Sequence, residues 1–558
     1  MLTHTAMRGA CGFFCLALAM AAGGQAAPLQ TAPPPGSAAS AGDEPATAKQ
    51  YRIAGTVVNS VSGEPVPRAT VAVLSVDNRR TIASLASDAG GRFSLEGIAA
   101  GKYSLTVSKR GYITAFYDEH EAFSSAIVTG EGQDTEDIVF RLNPAASIDV
   151  EVTDDGGDPI EGADVLVFRR LHNFGIGERI QKSGQYKTDD TGRVENYNLM
   201  PGEVLVAVTA KPWFATHAAA MPGGKAVNPV LDVAYPVTFY DGVTDEAAAT
   251  PIVLAAGSRE KIAISLHAVP ALHLFVPVPD NGDDPALSST LHQSIFGARL
   301  PIEDLDTPES TEDGMAEFIG VAPGHYELQQ GDPPRITDLN ATGNQQLSPA
   351  AGTPGANIEV KLRTLAGKEP AGKVRLILAW ADHAHPRPPI EASADGDGRE
   401  FDAVPPGLWE LWVLGEEKGL PVSSIASGGQ KQAGNRITVG DHSLKLAVTV
   451  DTNDSRIEGF ARKDGKGLAG VMVVLVPRIP AANGDRFRRD QSDSDGSFSL
   501  SDVAQGEYTV VAIEDGWQLE WGRPEVIERY LPKGVGVTVT ESTGKLMRLP
   551  ESVPVQSR

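Results

Sequence analysis

Apolar and polar residues alternate with a period of two in short runs along most of the chain, and turn residues separate the runs. The clearest run is GRFSLEGIAAGKYSLTV at residues 91–107. A period of two places successive side chains on opposite faces, which is typical of a half-buried β-strand. Asp and Gly between the runs favour tight turns, because Gly accepts positive φ and Asp bonds its own backbone. The pattern predicts an all-β fold.

The same pattern recurs along the chain. The copies read SDAGGRFSLEGIAAGKYSLTV, TDDTGRVENYNLMPGEVLVAV, TEDGMAEFIGVAPGHYEL, SDSDGSFSLSDVAQGEYTVVAI and, more loosely, DGDGREFDAVPPGLWELWVLG. In four copies the turn glycine and a later glycine keep one spacing: Gly91 and Gly101, Gly192 and Gly202, Gly314 and Gly324, Gly496 and Gly506. Each copy predicts strand, turn, strand, loop, strand, and upstream runs such as IAGTVVN and ATVAVLSV add two strands. The chain is therefore predicted to repeat one small β-sandwich.

The repeats also predict the domain borders. A chain of 558 residues is too long for one core at about 100–200 residues per domain. We expect a signal peptide at 1–26, a disordered linker at 27–50, and β-sandwiches at 51–143, 144–268, 269–362, 363–450 and 455–550.

The beginning of the chain is typical of a secretion signal. His4 and Arg8 precede an apolar stretch, and small residues surround a cleavage point after Ala26. Cys11 and Cys15, the two cysteines of the chain, both lie in this segment, so the mature protein is expected to contain no thiol. No later run is apolar enough to span a membrane. We expect an extracytoplasmic protein of the periplasm, the cell surface or the medium.

The charge of the chain bears on its partners. With 72 acidic and 48 basic residues the net charge is −24. Such a surface repels the phosphates of nucleic acids and of anionic membranes, which argues against both as partners. An ordinary soluble surface explains the same charge and is the preferred interpretation.

The quoted repeats resemble the carboxypeptidase regulatory-like domain, a prealbumin-like or carbohydrate-binding-like β-sandwich. The segments that carry the resemblance are AGTVVNSVSGEPVPRATVAVL, SDAGGRFSLEGIAAGKYSLTVSKRGY and their later copies. The resemblance is to bacterial secreted proteins with such repeats, and it implies a tandem array of about five small Ig-like or prealbumin-like domains. In that family the module accompanies peptidases, transporters and adhesins without doing chemistry itself.

Motifs for catalysis are missing from the sequence. No histidine has Glu three residues later, and neither His-Glu-x-x-His nor Gly-x-Ser-x-Gly occurs. We therefore predict a protein that is not an enzyme and that has no catalytic residue, cofactor or metal site. His383 and His385 could share a metal with Asp382 or Glu391, but a solvated loop is the preferred interpretation. The acidic turns around Asp395 and Asp397, and around Asp493 and Asp495, lack the ligand ladder of a calcium loop.

Aromatic side chains outside the repeat are the candidates for ligand binding, because a sugar ring stacks on an open indole. Trp409 occupies the Gly-x-aromatic position and is predicted to pack in the core, with Trp412 on the opposite face of its strand. The candidate ligand-binding residues are Trp412, Trp517, Trp521 and Tyr530. For the final three, packing against the last sandwich is the preferred interpretation and a sugar platform is the alternative, and Trp213 is open to both interpretations.

The sequence thus favours an exported, non-catalytic binding or scaffold protein of the cell envelope, with a glycan or an envelope protein as partner. Two alternatives stay open. In the first, the protein is an accessory or regulatory subunit of an envelope peptidase or carbohydrate-active enzyme. In the second, it is a passive spacer.

Overall fold

A computed structural model describes residues 49–76, 79–133, 135–172, 178–218, 228–277, 289–296, 298–301, 309–310, 315–330, 335–347, 353–381, 389–392, 399–416, 418–541 and 545–558. The signal and linker predictions fall on residues outside these ranges. Residues 49–558 form one compact unit. We call the segments predicted above, in chain order, modules 1 to 5.

The elements are almost all strands. Module 1 contains β1 (Tyr51–Asn59), β2 (Thr70–Ser75), β3 (Thr81–Ala86), β4 (Arg92–Ile98), β5 (Gly101–Ser108), β6 (Ala115–Phe116), β7 (Ile127–Thr129) and β8 (Ile138–Leu142). Module 2 contains β9 (Ala146–Asp154), β10 (Asp164–His172), β11 (Glu178–Lys187), β12 (Arg193–Leu199), β13 (Gly202–Thr209), β14 (Val233–Ala234), β15 (Thr238–Phe239), β16 (Ile252–Leu254) and β17 (Arg259–Leu266).

The later modules follow the same plan. Module 3 contains β18 (Val269–Pro270), β19 (Leu272–Pro277), β20 (Ser289–Ile295), β21 (Ala298–Pro301), β22 (Glu309–Ser310), β23 (Met315–Val321), β24 (Gly324–Gln330), β25 (Arg335–Ala341), β26 (Gln345–Gln346) and β27 (Thr353–Pro354). We assign to module 4 the strand β28 (Ala356–Thr364), which starts before the predicted border at 363, because it pairs with later strands of that module. Module 4 also contains β29 (Arg375–Trp380), β30 (Ile390–Glu391), β31 (Glu400–Val404), β32 (Gly407–Leu414), β33 (Val422–Ser427), β34 (Gln430–Ala433), β35 (Arg436–Val439) and β36 (Leu444–Val450).

Module 5 contains β37 (Ser455–Lys463), β38 (Lys466–Gly467), β39 (Met472–Pro477), β40 (Arg488–Gln491), β41 (Ser497–Val503), β42 (Gly506–Glu514), β43 (Val535–Val539), β44 (Leu546–Arg548) and β45 (Val553–Ser557). The described helices are α1 (Pro524–Ile527) and the 3-10 turns Glu246–Ala248, Pro480–Ala482, Gly484–Arg486, Gly516–Gln518 and Glu528–Lys533. The all-β fold class is confirmed.

One sheet plan recurs in every module. The first long strand pairs antiparallel with the strand after the Asp-Gly turn and parallel with a strand near the end of the module. In module 1 the order is β4-β1-β8, in module 2 β12-β9-β17, and in module 4 β31-β28-β36. A second sheet of antiparallel strands, such as β3-β2-β5 in module 1, completes the sandwich.

The repeated turn requires glycine for a geometric reason. Gly91 and Gly192 have φ of +71°, and a Cβ on either would lie 2.5 Å from the carbonyl oxygen of Val57 or Val152. That approach lets the Gly91 carbonyl accept a hydrogen bond from Val57 N at 2.8 Å. The turn is thereby fastened to the central strand of its module, which explains why glycine recurs there.

The aromatic residue of the repeat packs in the core of its own module. Tyr103, Tyr326, Trp409 and Tyr508 are all buried. Each donates a hydrogen bond from its ring OH or NH to the carbonyl four residues earlier, at 3.2, 2.7, 2.9 and 2.9 Å. The prediction for Trp409 is confirmed, and burial raises the pKa of Tyr508 to about 12.

Hydrophobic clusters coincide with the repeats. Separate clusters centre on Leu105, Val206, Phe318, Trp409 and Val510. We propose that each cluster is the core of one module and that the modules keep approximately the predicted borders.

Candidate functional site

The last three aromatic candidates lie inside the protein. Trp517, Trp521 and Tyr530 are 8%, 6% and 8% exposed, in a second cluster of module 5 with Met472 and Val474. A sugar ring needs an open aromatic face, and these side chains do not offer one. We therefore correct the expectation that they form a binding platform: they pack.

Trp412 differs from these three residues in its exposure. It is half-buried on β32, whereas Trp409, Leu411 and Val413 on the same strand belong to the core. Trp412 thus lies on the outer face of its strand, as the alternation of side chains requires. Its role in ligand binding stays a prediction.

Among the candidate aromatic residues, Trp213 has the most exposed ring. It is 90% exposed, and its ring contacts Phe214 edge to face at 5.8 Å between centroids. The next loop of module 2 lies close by, because Thr216 N donates to Leu231 O at 2.8 Å. The sequence could not decide between packing and exposure here, because the residue lies outside any periodic run.

Trp517 and Trp521 are covered partly by module 1. We call residues 118–128 of module 1 the strap, and its contact with module 5 the closure. Arg489 of β40 donates to Glu121 of the strap at 2.6 Å. Its guanidinium lies 4.3 Å from the Trp521 ring centroid and 5.0 Å from that of Phe123. The Arg489 side chain is only 5% exposed, so its cation–π contacts are shielded from water, whereas the Glu121 side chain is 32% exposed.

Directional hydrogen bonds continue the closure. Gln491 Nε2 donates to Asp118 O at 2.5 Å and to Ser125 Oγ at 2.8 Å. Ser125 Oγ donates to Ser492 O at 2.9 Å. The His120 ring stacks on Trp517 at 5.0 Å with an interplanar angle of 8°. These contacts fix the register of the strap on β40.

The acidic turn around Asp493 also belongs to the closure. Asp493 Oδ1 accepts from Ala126 N at 2.9 Å, and Oδ2 accepts from Lys102 Nζ at 2.6 Å. Ser494 N donates to Ala126 O at 3.0 Å. Burial raises the pKa of Asp493, and Lys102 offsets part of that rise. Protein donors therefore occupy both oxygens of this carboxylate, while Asp495 closes the turn by accepting from Ser497 N.

A chain of titratable side chains joins modules 2 and 3. His217 Nδ1 donates to Asp232 at 2.8 Å, and His273 Nε2 donates to the other oxygen of Asp232 at 2.8 Å. His273 Nδ1 donates to Glu317 at 2.5 Å. Carboxylate oxygens accept, so both ring nitrogens of His273 donate when the ring is protonated. We call these four residues the histidine chain.

The electrostatics of the histidine chain favour its charged form. Burial lowers the pKa of His273, but its hydrogen bonds to Asp232 and Glu317 outweigh burial, and the pKa is raised overall. Burial raises the pKa of Asp232, but its bonds from the two histidines prevail and lower it. The His273 side chain is 11% exposed and that of Glu317 is not exposed at all.

Aromatic packing supports the same junction. Phe296 of module 3 lies between Phe168 and Phe239 of module 2, with centroids 5.1 Å from each. Phe296 has φ of +48°, and its backbone NH donates to Glu246 of module 2 at 2.6 Å. Modules 2 and 3 are thus joined by apolar rings as well as by charge.

Modules 4 and 5 meet at Asp485. Its Oδ2 accepts from Val422 N at 2.6 Å, and Arg486 donates to Val422 O at 3.4 Å. Burial raises the pKa of Asp485 to about 6. A few residues along the chain, burial likewise raises the pKa of Asp490 to about 7.

The remaining metal candidates can be placed only in part. Asp382, His383 and His385, and the turn of Asp395 and Asp397, lie outside the described residues. Glu391 pairs with Arg375 at 2.7 Å. Within the described ranges, no three His, Cys, Asp or Glu side chains are grouped in a way that could hold a metal ion. In the same ranges, no helix is long and apolar enough to cross a bilayer.

Comparisons with known proteins agree with the fold of module 1. Residues 52–143 match the model of the carboxypeptidase regulatory-like domain, which confirms the resemblance for that module. A comparison with curated proteins gives no match.

Solved structures that are similar to this chain include the following three. The Bacillus anthracis TIE protein is 10% identical, with 73% of this chain and 76% of that chain covered and a TM-score of 0.18. The shaft pilin SpaA from Lactobacillus rhamnosus GG is 9% identical, with 40% and 98% covered and a TM-score of 0.20. GBS52, the minor pilin of Streptococcus agalactiae, is 12% identical, with 39% and 97% covered and a TM-score of 0.20. TM-scores this low carry no inference about function.

Two groups of residues had no signal in the repeat pattern. Arg489 and Gln491 alternate with Arg488 and Asp490 in a polar edge strand, which reads as a solvated surface. His217 and His273 are separated by a long stretch of chain, so no spacing connects them. A weak signal did exist for the closure, because Trp517 and Trp521 lie outside the repeating core positions.

Proposed function

We propose that the protein is an exported, non-catalytic scaffold and binding protein of the cell envelope, built from five β-sandwich modules. The observation that carries the proposal is the closure, because it binds the first module directly to the last. A chain whose end modules are held together is a shaped scaffold, which disfavours the passive spacer among the alternatives.

The side chains that bear charge support a structural role. Asp493 and Arg489 are committed to the closure, and the histidine chain is committed to the junction of modules 2 and 3. The alternative, an accessory subunit of an envelope enzyme, is supported by the same contacts and differs only in the protein that this chain binds.

Fractionation and capture test this proposal together. The full chain, with a C-terminal tag, is expressed in a bacterial host, and the periplasmic, membrane, extracellular and cytoplasmic fractions are probed. We expect the mature protein outside the cytoplasm, with cleavage after Ala26 found by N-terminal sequencing. Retention in the cytoplasm would contradict the proposal. Co-purification with one peptidase or glycosidase in stoichiometric amount would favour the accessory subunit.

Carbohydrate binding is the second candidate function, and the exposed ring of Trp213 favours it. An indole presents a broad apolar face, and such a face stacks on the C–H side of a pyranose ring. The polar residues Lys211, Thr216 and Asn228 are exposed nearby in the chain. Trp412 is the other ring to test, because it lies on the outer face of β32.

Affinity electrophoresis in gels that contain neutral or acidic polysaccharides tests this candidate. We expect one neutral polysaccharide to retard the wild-type chain and the Trp213→Ala variant to migrate freely. Trp412→Ala tests the other candidate ring, and Tyr197→Ala, at an aromatic residue that is 74% exposed, is the matched control. If no polysaccharide retards the wild-type chain, carbohydrate binding fails and the scaffold proposal remains.

A further inference from the structure

The closure has the composition of an interface between two proteins. At its centre an arginine is enclosed by aromatic rings, Trp521 and Phe123, and paired with Glu121. Arginine and tryptophan in a desolvated centre are the residues that dominate specific interfaces. Around them lie side-chain and backbone hydrogen bonds, as in the polar rim of such interfaces.

The two sides of the closure are different surfaces. One side is the strap of module 1, and the other is β40, the turn at Asp493 and the two tryptophans of module 5. Such a contact is heterologous, so it can be satisfied within one chain or between a first module and the last module of another chain. Both arrangements make the same bonds, because modules 2 to 4 contribute none of the contacts described for the closure.

The strap conformation indicates that it is held by its partner surface. Asp118 and Glu121 have φ of +52° and +55°, in the left-handed region that residues with a Cβ rarely adopt. Gln491 bonds the carbonyl of Asp118, and Arg489 bonds the side chain of Glu121. Both left-handed residues of the strap therefore lie where side chains of module 5 contact it, and backbone bonds between His120 and Phe123 hold the strap from within module 1.

We propose that the closure also forms between two copies of this chain, so that the strap of one copy occupies the module 5 surface of the other. The tether within one chain favours self-closure when the protein is dilute. Modules 2 to 4 form this tether, and a high protein concentration favours pairing between chains over self-closure by mass action. The partner is a second copy, because its strap is the ligand that this surface fits.

Disulfide trapping between two single-cysteine chains distinguishes the arrangements. Ala126 and Ser494 face each other across the closure, and the native cysteines are confined to positions 11 and 15. In a background of Cys11→Ser and Cys15→Ser, one chain carries Ala126→Cys and the other Ser494→Cys. A disulfide between positions 126 and 494 in this mixture requires two chains. The mixture is oxidised from about 1 µM to about 1 mM, because mass action favours pairing between chains increasingly over this range.

We expect the yield of the mixed disulfide to rise with concentration. It should exceed the yield of a control mixture by at least about fivefold, a difference of about 1 kcal/mol. The control pairs Ser494→Cys with Ser62→Cys, which is exposed on module 1 away from the closure. Adding Arg489→Ala to the Ser494→Cys chain should lower the yield to the control level. A mixture that never exceeds the control overturns the proposal.

The double variant, Ala126→Cys with Ser494→Cys in one chain, shows whether the closure itself exists. An intrachain disulfide at every concentration, without the mixed disulfide, means that the closure is purely internal and the proposal is wrong. Failure of both disulfides removes the closure and the proposal together. Sedimentation of the unmodified chain is the second measurement: Arg489→Ala should abolish any concentration-dependent dimer.

Discussion

The closure and the junction of modules 2 and 3 both bury charge between β-sandwiches, yet they are built differently. The junction joins consecutive modules, so the chain itself brings His273 to Asp232, and the rings around Phe296 add apolar contact. The closure joins modules separated by three others, and it relies on many directional bonds around Arg489. Consecutive modules are kept close by the backbone, so a few buried groups are enough to join them. Modules that are distant in the chain need a specific contact surface to find each other.

The largest expected effect is at the histidine chain. Replacing His273 by Ala leaves Asp232 and Glu317 buried without their shared cation, which should cost about 3–5 kcal/mol. Scanning calorimetry should show the transition of modules 2 and 3 shifted to lower temperature. The matched control is His442→Ala, whose side chain is 85% exposed beside Asp441 and should leave the melt unchanged. Equal effects of the two variants would contradict the role of the chain.

A somewhat smaller effect is expected at the closure. Arg489→Ala removes the partner of Glu121 and opens a gap between the aromatic rings, which should weaken the closure by about 2–5 kcal/mol. The yield of the intrachain 126–494 disulfide measures it. Arg478→Ala is the control in the same module, because its pair with Glu507 is largely exposed and should contribute about 0–1 kcal/mol. An unchanged yield in Arg489→Ala would show that the aromatic contacts alone hold the strap.

Changes of pH should act on both regions in the same direction. The raised pKa of His273 gives stability that is complete below its ordinary value of about 6.5 and lost as pH rises through the raised value. Asp490 lies in module 5 beside the closure, where its side chain accepts from Ser499 N. Its carboxyl pKa, raised to about 7, makes module 5 lose stability as pH rises towards that value. The melting temperature should therefore fall from mildly acidic to mildly basic pH. His273→Gln and Asp490→Asn should each flatten this fall, and a flat wild-type profile would contradict both assignments.

The smallest effect should come from salt. The Lys102 side chain in the closure is partly exposed, whereas those of Arg489, His273 and Glu317 are nearly closed to solvent. Salt screens exposed pairs, so about 0.5 M NaCl should weaken the closure by less than about 1 kcal/mol. The junction should respond still less. A loss as large as that in Arg489→Ala would mean that the closure is open to water.

The sequence predicts contacts between residues that are close along the chain better than contacts between residues that are far apart in it. Gly91 and Tyr103 are fixed by contacts within one repeat, so their pattern was sufficient to predict the fold of module 1. Trp517 and Trp521 were recognisable as residues outside the repeat, but their burial depends partly on Phe123 and His120, far away in the sequence. Arg489 has no local pattern at all. Contacts between modules produce no periodic pattern of residues, so they are not recognisable in a single sequence.

The parallel pairing of early and late strands in each module also sets the order in which an emerging chain acquires structure. β1 cannot complete its sheet until β8 has arrived, and β9 waits in the same way for β17. Pairing over such separations is slow, and domains of a long chain fold largely one after another. The first module is therefore complete while the strap still lacks its partner. The strap stays uncovered until Arg489 and Trp521 have emerged and folded, which makes the closure the last contact to form.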